Sequence, residues 1–163
     1  MKFTLPEVEK IARDFLSKTY DLELSIPIKI NNRLTTTLGR FRWRRLTAQS
    51  GRKMGVPLSI EISGKYLRYG DSKDIVSTIK HECCHYALFV SGLPFRDGDT
   101  YFENELKRYG INPSGTSYFE QKRNVRVYEC RCDEHIFLRT ISPSYCKNCL
   151  QDLVYKEQRL EWV

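Results

Sequence analysis

The sequence predicts an α+β fold, and three observations carry that expectation. A capped amphipathic stretch opens the chain, three short β-rich segments follow it, and a long segment with an apolar stripe at helical spacing comes next. At 163 residues, 40% apolar and 29% charged, the chain has room for one sound core and a small appendage. No apolar run approaches the roughly 18 to 20 residues of a membrane helix. The opening MKFTLPEVEK has neither an apolar core nor a small-residue cleavage site. The expectation is a cytoplasmic, monomeric protein with no membrane partner.

The first helix is expected from about Leu5 to Thr19. Thr4 and Glu7 have capping-box spacing, Pro6 suits the first turn, and Val8, Ile11, Ala12, Phe15 and Leu16 trace one apolar stripe. The segments 26–30, 40–48 and 56–63 read as strands of a small, mostly antiparallel sheet. In the second of them, period-two alternation sends Phe41 and Trp43 to one face and Arg40, Arg42 and Arg44 to the other. Asp71 or Ser72 can cap a second helix running to about Ser91, with Ile75, Ile79, Cys83, Tyr86 and Val90 on its buried side. A third helix, about 99–109, turns Phe102 and Leu106 inward. From Ile111 to about Asn124, Pro, Ser and Gly punctuate what reads as a linker. The expected division is 1–124 and 125–163.

The chemistry concentrates in IKHECCHYALF, residues 79–89. His81 and His85 stand one helical turn apart, so both imidazoles can reach a single ion. Glu82, rotated by about 100° from that row, stays out of the ligand set yet beside an open coordination position, where a carboxylate can handle protons. This HExxH arrangement is that of zinc-dependent peptidases, in which the metal makes water a nucleophile at neutral pH. A third ligand is needed. Leu88 and Ser91 fill the places where a longer motif would have Gly and His, and His135 lies far along the chain. Asp97 follows a helix-ending turn that can fold back toward the ion; Asp99, Glu103 and Glu105 are the other nearby carboxylates. Cys83 and Cys84 point about 100° apart on the helix, so they cannot share an ion and read as small buried hydrophobes.

Six cysteines in a reducing compartment point to metal before disulfides. Cys146 and Cys149 have the C-x2-C spacing of a zinc knuckle, and Cys130 and Cys132 form a shorter pair. Two such pairs on hairpin tips can complete a tetrahedral thiolate site. A variant with Cys132 and His135 in place of Cys130 is the alternative. So short a module buries too little surface alone, so its ion would supply most of its folding energy.

The net charge of +7 is unevenly placed: from Asn31 to Ile60 there is no acidic residue. Arg40, Arg42 and Arg44 in that stretch, with Arg123 and Arg126 beside the cysteine pairs, are candidates for sequence-independent phosphate contacts with nucleic acid, the alternative being a solvated basic surface.

Taken in order, TTTLGRFRW, IKHECCHYALFVSG and YECRC…YCKNC resemble the SprT-like family of zinc metalloproteases, related to the eukaryotic DNA–protein crosslink protease Spartan. The resemblance covers about residues 5 to 155. It implies a zincin-like metalloprotease domain followed by a small zinc ribbon, one catalytic and one structural zinc, and protein substrates at or near DNA. It also implies the four-cysteine set for the ribbon. Family members characteristically supply the third catalytic ligand as a histidine, and a gapless reading places Asp97 there, a departure toward a His-His-Asp set. The runner-up is a non-catalytic nucleic-acid-binding protein with two structural zinc sites.

Overall fold

In the computed structural model, which describes residues 3–115, 122–137 and 145–162, the chain forms two compact units, Met1–Phe119 and Glu120–Val163. The first begins with helix α1, Leu5–Tyr20. The Glu7 carboxylate accepts from both the N–H and the hydroxyl of Thr4 at 2.7 Å, which satisfies the helix start. Val8, Ala12, Phe15 and Leu16 form the expected buried stripe.

Strands β1 (Ile28–Asn31), β2 (Gly39–Thr47) and β3 (Lys53–Ser63) make one sheet in the order β1-β3-β2. β2 and β3 are an antiparallel hairpin, whereas β1 runs parallel to β3. The sheet is therefore mixed rather than mostly antiparallel. The segment 32–38 carries the chain past β3 to its far edge, a long-range step with no signature in local alternation. Opposite Pro57, the β2–β3 register shifts between Arg42 and Trp43. A proline cannot donate to a ladder, and a bulge is where a strand tolerates one.

A six-residue helix, α2 (Gly64–Tyr69), follows, too short to show a periodic stripe. α3, Ser72–Val90, is capped by the Asp71 carboxylate, which accepts from the N–H groups of Lys73 and Asp74. Ile75, Ile79, Cys83 and Tyr86 are buried as expected, but Val90 is 42% exposed because it lies in the last turn. α4, Thr100–Arg108, buries Phe102 and Leu106 completely. Phe41 and Trp43 face inward, their rings 5.3 and 5.4 Å from Phe89. No described helix is long and apolar enough to cross a membrane.

The second unit holds β4 (Lys122–Glu129), β5 (Glu134–Phe137) and β6 (Val154–Trp162), an antiparallel sheet in the order β5-β4-β6. β4 thus begins inside the stretch expected to be a linker, of which residues 116–121 lie outside the described ones.

Candidate metal centres

His81 and His85 project from the same side of α3, with ring centroids 4.8 Å apart. The chain leaves α3 at Ser91, turns at Gly92, and returns Asp97 to both rings. Asp97 Oδ1 lies 3.0 Å from His81 Nε2 and 3.3 Å from His85 Nε2. Two ligands about 2.0 to 2.1 Å from a tetrahedral ion stand about 3.3 Å from each other, so Asp97 Oδ1 has coordination spacing to both nitrogens, and all three donors lie within 4.8 Å of one another.

The tautomer of His85 tests the fit further. Its Nδ1 meets the Phe95 carbonyl, which can only accept, so Nδ1 carries the proton. Nε2 of the neutral ring then presents a lone pair to a carboxylate oxygen. Two acceptors face each other, a contact that needs either an extra proton or a cation between them. The donor set therefore fits a divalent ion. Without one, the two imidazoles hold the Asp97 carboxyl well below the usual carboxylate range. For His85, burial lowers the pKa, but Asp97, Glu82 and the Phe95 carbonyl together raise it above the ordinary value.

The other acidic candidates are engaged elsewhere. Asp99 precedes α4 and accepts from the Arg96 N–H at 3.0 Å. Glu103 accepts from the N–H groups of Gly98 and Ser114, and Glu105 faces Tyr20 and Arg108. Cys83 and Cys84 are fully buried. The Cys84 thiol, 3.4 Å from the Tyr20 hydroxyl, is pushed by burial up to about 12.

Glu82 is 5% exposed and lies between the histidines and the start of β2. Burial pushes its carboxyl above the ordinary value, against the opposing pull of His85, His81 and the Phe41 N–H. It borders a cleft of about 310 Å³ that is also lined by Thr37, Ser77, Thr78, His81, Asp97 and Asn112. A hollow of about 280 Å³ shares Thr37, Gly39, Glu82 and Asp97 with that cleft and adds Phe41, Trp43, Phe95 and two arginines, Arg40 and Arg96.

Sequence reasoning missed two neighbours of this site. A Cβ on Gly39 would lie 2.9 Å from Glu82 Cγ and Oε1, so only glycine lets β2 approach so closely. Ser114 donates its hydroxyl to Asp97 Oδ1 at 2.8 Å. TTTLGRFRW contains Gly39 but gives no sign of what it faces, and nothing local marks Ser114.

In the second unit, the sulfurs of Cys130, Cys132, Cys146 and Cys149 lie within 4.8 Å of one another. Cys130 and Cys132 occupy the β4–β5 turn. Cys146 and Cys149 occupy another turn, closed by Leu150 N–H to the Cys146 carbonyl at 2.8 Å. Backbone hydrogen bonding at Asp133 and Cys132 lowers the Cys130 thiol to about 7, while Cys149 drives Cys132 up to about 12. Four thiols this close cannot all ionise without a compensating cation, so this group too fits a metal. His135 stays beside the group, with Nε2 3.2 Å from Cys130 Sγ.

The arginine row on β2 is partly committed. Glu61, nearly fully buried, accepts from Arg40 Nε at 2.9 Å, Arg42 Nη1 at 3.1 Å and Asn31 Nδ2 at 2.6 Å. Both guanidinium groups remain about half exposed, and Arg44 is exposed. Arg126 lies in β4, half-buried. Arg123 is in the same strand, with its side chain outside the described ones.

Comparison with known proteins gives the family. The SprT-like family model matches residues 8–104. A Bacillus velezensis protein named "Protein SprT-like" is 31% identical over 149 residues, covering 88% of this chain and 92% of its own. Its Bacillus subtilis counterpart is 26% identical over the same length, covering 88% and 91%. A Bacillus cereus one is 23% identical over 128 residues, covering 78% and 76%. The chain belongs to the SprT-like family.

Proposed function

We propose that the chain is a zinc-dependent endopeptidase. The observation that carries this reading is Glu82: a buried carboxylate, outside the ligand group yet against it, bordering an open cleft. A structural metal site has no use for such a neighbour. His81 Nε2, His85 Nε2 and Asp97 Oδ1 would hold the ion, and their nitrogen and oxygen donors suit zinc. When bound, zinc supplies Lewis acidity toward a carbonyl and a water. Glu82 takes the proton from the attacking water and passes it to the leaving amine, a role served by a carboxyl whose pKa burial has raised. β2 is an edge strand of its sheet and reaches the cleft at Gly39 and Phe41, which suits an extended protein substrate.

The four thiolates would hold a second, structural zinc. We further propose cytoplasmic protein substrates associated with DNA, held through phosphate contacts. Arg44, Arg45, Arg52 and Lys53, all exposed near the tip of the β2–β3 hairpin, support this more than Arg40 and Arg42, which Glu61 partly neutralises.

The test is metal analysis with a Glu82→Gln comparison. Both proteins should carry two zincs per chain, and only the parent should cleave protein. Equal cleavage by the variant refutes the mechanism, and a single zinc held by the cysteines favours a non-catalytic binding protein. A DNA affinity that does not fall with salt refutes the phosphate contact.

A further inference from the structure

The departure at Asp97 raises a physical problem. An imidazole ligand is stiff and is aimed by the hydrogen bond at its second nitrogen, as His85 is by Phe95. A carboxylate on a loop has no such rudder, and the Asp97 side chain is 63% exposed. Something else must choose which oxygen faces the histidines.

We propose that Ser114, anchored by Glu103, is the positioning residue that fits an aspartate to the third-ligand place. This rests on the metal-site reading above. The Ser114 hydroxyl donates to Oδ1, the same oxygen that meets both imidazoles. One lone-pair direction of that oxygen is thereby occupied, and the carboxylate cannot rotate without breaking the bond.

Ser114 is itself held. Glu103, on the first turn of α4, accepts from the Ser114 N–H at 3.3 Å and from the Gly98 N–H at 3.0 Å. One carboxylate thus ties the residue after the ligand to the residue that aims it. The adjacent Phe102 is fully buried and stacks on the His85 ring at 4.2 Å and 16°. Neighbouring residues of α4 therefore set the orientation of one ligand ring and the loop of another. Glu103 serves as a brace where sequence alone allowed a ligand.

The test is metal affinity in the full chain, measured by competition with a chromophoric chelator, with Co2+ spectra separating the nitrogen–oxygen site from the thiolate site. Ser114→Ala should weaken the nitrogen–oxygen site by about 10- to 100-fold, leave the thiolate site unchanged, and leave the melting of the metal-free protein unchanged. Glu103→Gln should weaken the same site, and Ser114→Thr, which keeps the hydroxyl, should restore it. The decisive arm is the Asp97→His background, where the third ligand no longer needs a hydroxyl and Ser114→Ala should have no effect. An affinity within twofold of the parent for Ser114→Ala, or an equal loss in the Asp97→His background, overturns the proposal while the metal site stands. If His81→Ala leaves the affinity unchanged, the metal-site reading itself fails, and this proposal with it.

Discussion

Gly39→Ala is the most incisive perturbation of the first unit, because its effect follows from one close approach. The added Cβ would sit 2.9 Å from Glu82 Cγ and Oε1 and 3.1 Å from Thr78 Cγ2. Carbon atoms prefer about 3.5 to 4.0 Å, so the Glu82 side chain must retreat by about 0.6 to 1 Å or α3 must yield. Glu82 cannot swing away freely, since it is buried and takes the Phe41 N–H. Overpacking of this kind costs about 1 to 3 kcal/mol, and a misplacement of about 1 Å at a reacting group costs up to about 100-fold in rate. The expected outcome is a fall of about 10- to 100-fold in kcat/KM for protein cleavage, with zinc content unchanged, because the Cβ presses first on Glu82 and Thr78 and not on a ligand. Gly55→Ala is the matched control. Its Cβ would meet the Phe89 ring at 2.6 Å, away from the cleft, so it should lower the melting temperature without a comparable loss of turnover. Full activity in Gly39→Ala, or a loss that tracks missing zinc, would refute the claim that the strand edge sets the position of Glu82.

Three further outcomes follow from the same contacts. Chelation should abolish the near-UV and NMR signature of the second unit, whose described core is Val125, Val127, Tyr128 and Cys146, while α1 and α3 keep their helical signal; a second unit that stays folded in chelator would contradict a metal-held module. Phe102→Ala should cost about 3 to 5 kcal/mol in denaturant unfolding, since the ring is fully buried and carries His85. For Glu61, burial raises the carboxyl, but Asn31, Arg42 and Arg40 outweigh it and leave the pKa below the ordinary value. Its ionised form is thus favoured by folding, so the stabilisation is full above the ordinary carboxylate range and disappears as pH falls through and below it. Glu61→Gln should accordingly be less stable than the parent at neutral pH and converge with it in acid, as read by melting curves across pH.

The parts legible in the sequence were those that depend on neighbours along the chain. Thr4, Pro6 and Glu7 mark the start of α1 because capping is settled within three residues, and α3 shows itself by a buried stripe from Ile75 to Tyr86, about three turns long. Beyond the helix-ending turn the residues alone left Asp97, Asp99, Glu103 and Glu105 open, and the family resemblance singled out Asp97. What depends on register was not legible. The acid-free stretch 31–60 suggested a free arginine row, yet it stops one residue before Glu61, which β2–β3 pairing sets directly opposite Arg40. Charge counted along a strand ignores the strand beside it. Gly39 and Ser114 escaped for the same reason, since their importance lies in the atoms facing them and not in their own chemistry.

The two donor groups also differ in what surrounds them, and that difference bears on their roles. His81, His85 and Asp97 hang from a helix and a loop seated on Ile79, Phe102 and Leu106, all fully buried. Their donors are brought together by that packing and by hydrogen bonds to Phe95 and from Ser114, so an ion entering there has little folding to do. On the endopeptidase reading proposed above, that would leave its binding energy and its open position free for a substrate, with Glu82 beside it. The four thiols stand on two turns in a unit with little described core, and their set leaves no position open. An ion there would join two turns that little packing among the described residues holds. A preformed, three-donor site at a cleft and a closed, four-thiolate site in a thin module are what catalysis and scaffolding respectively require of a metal.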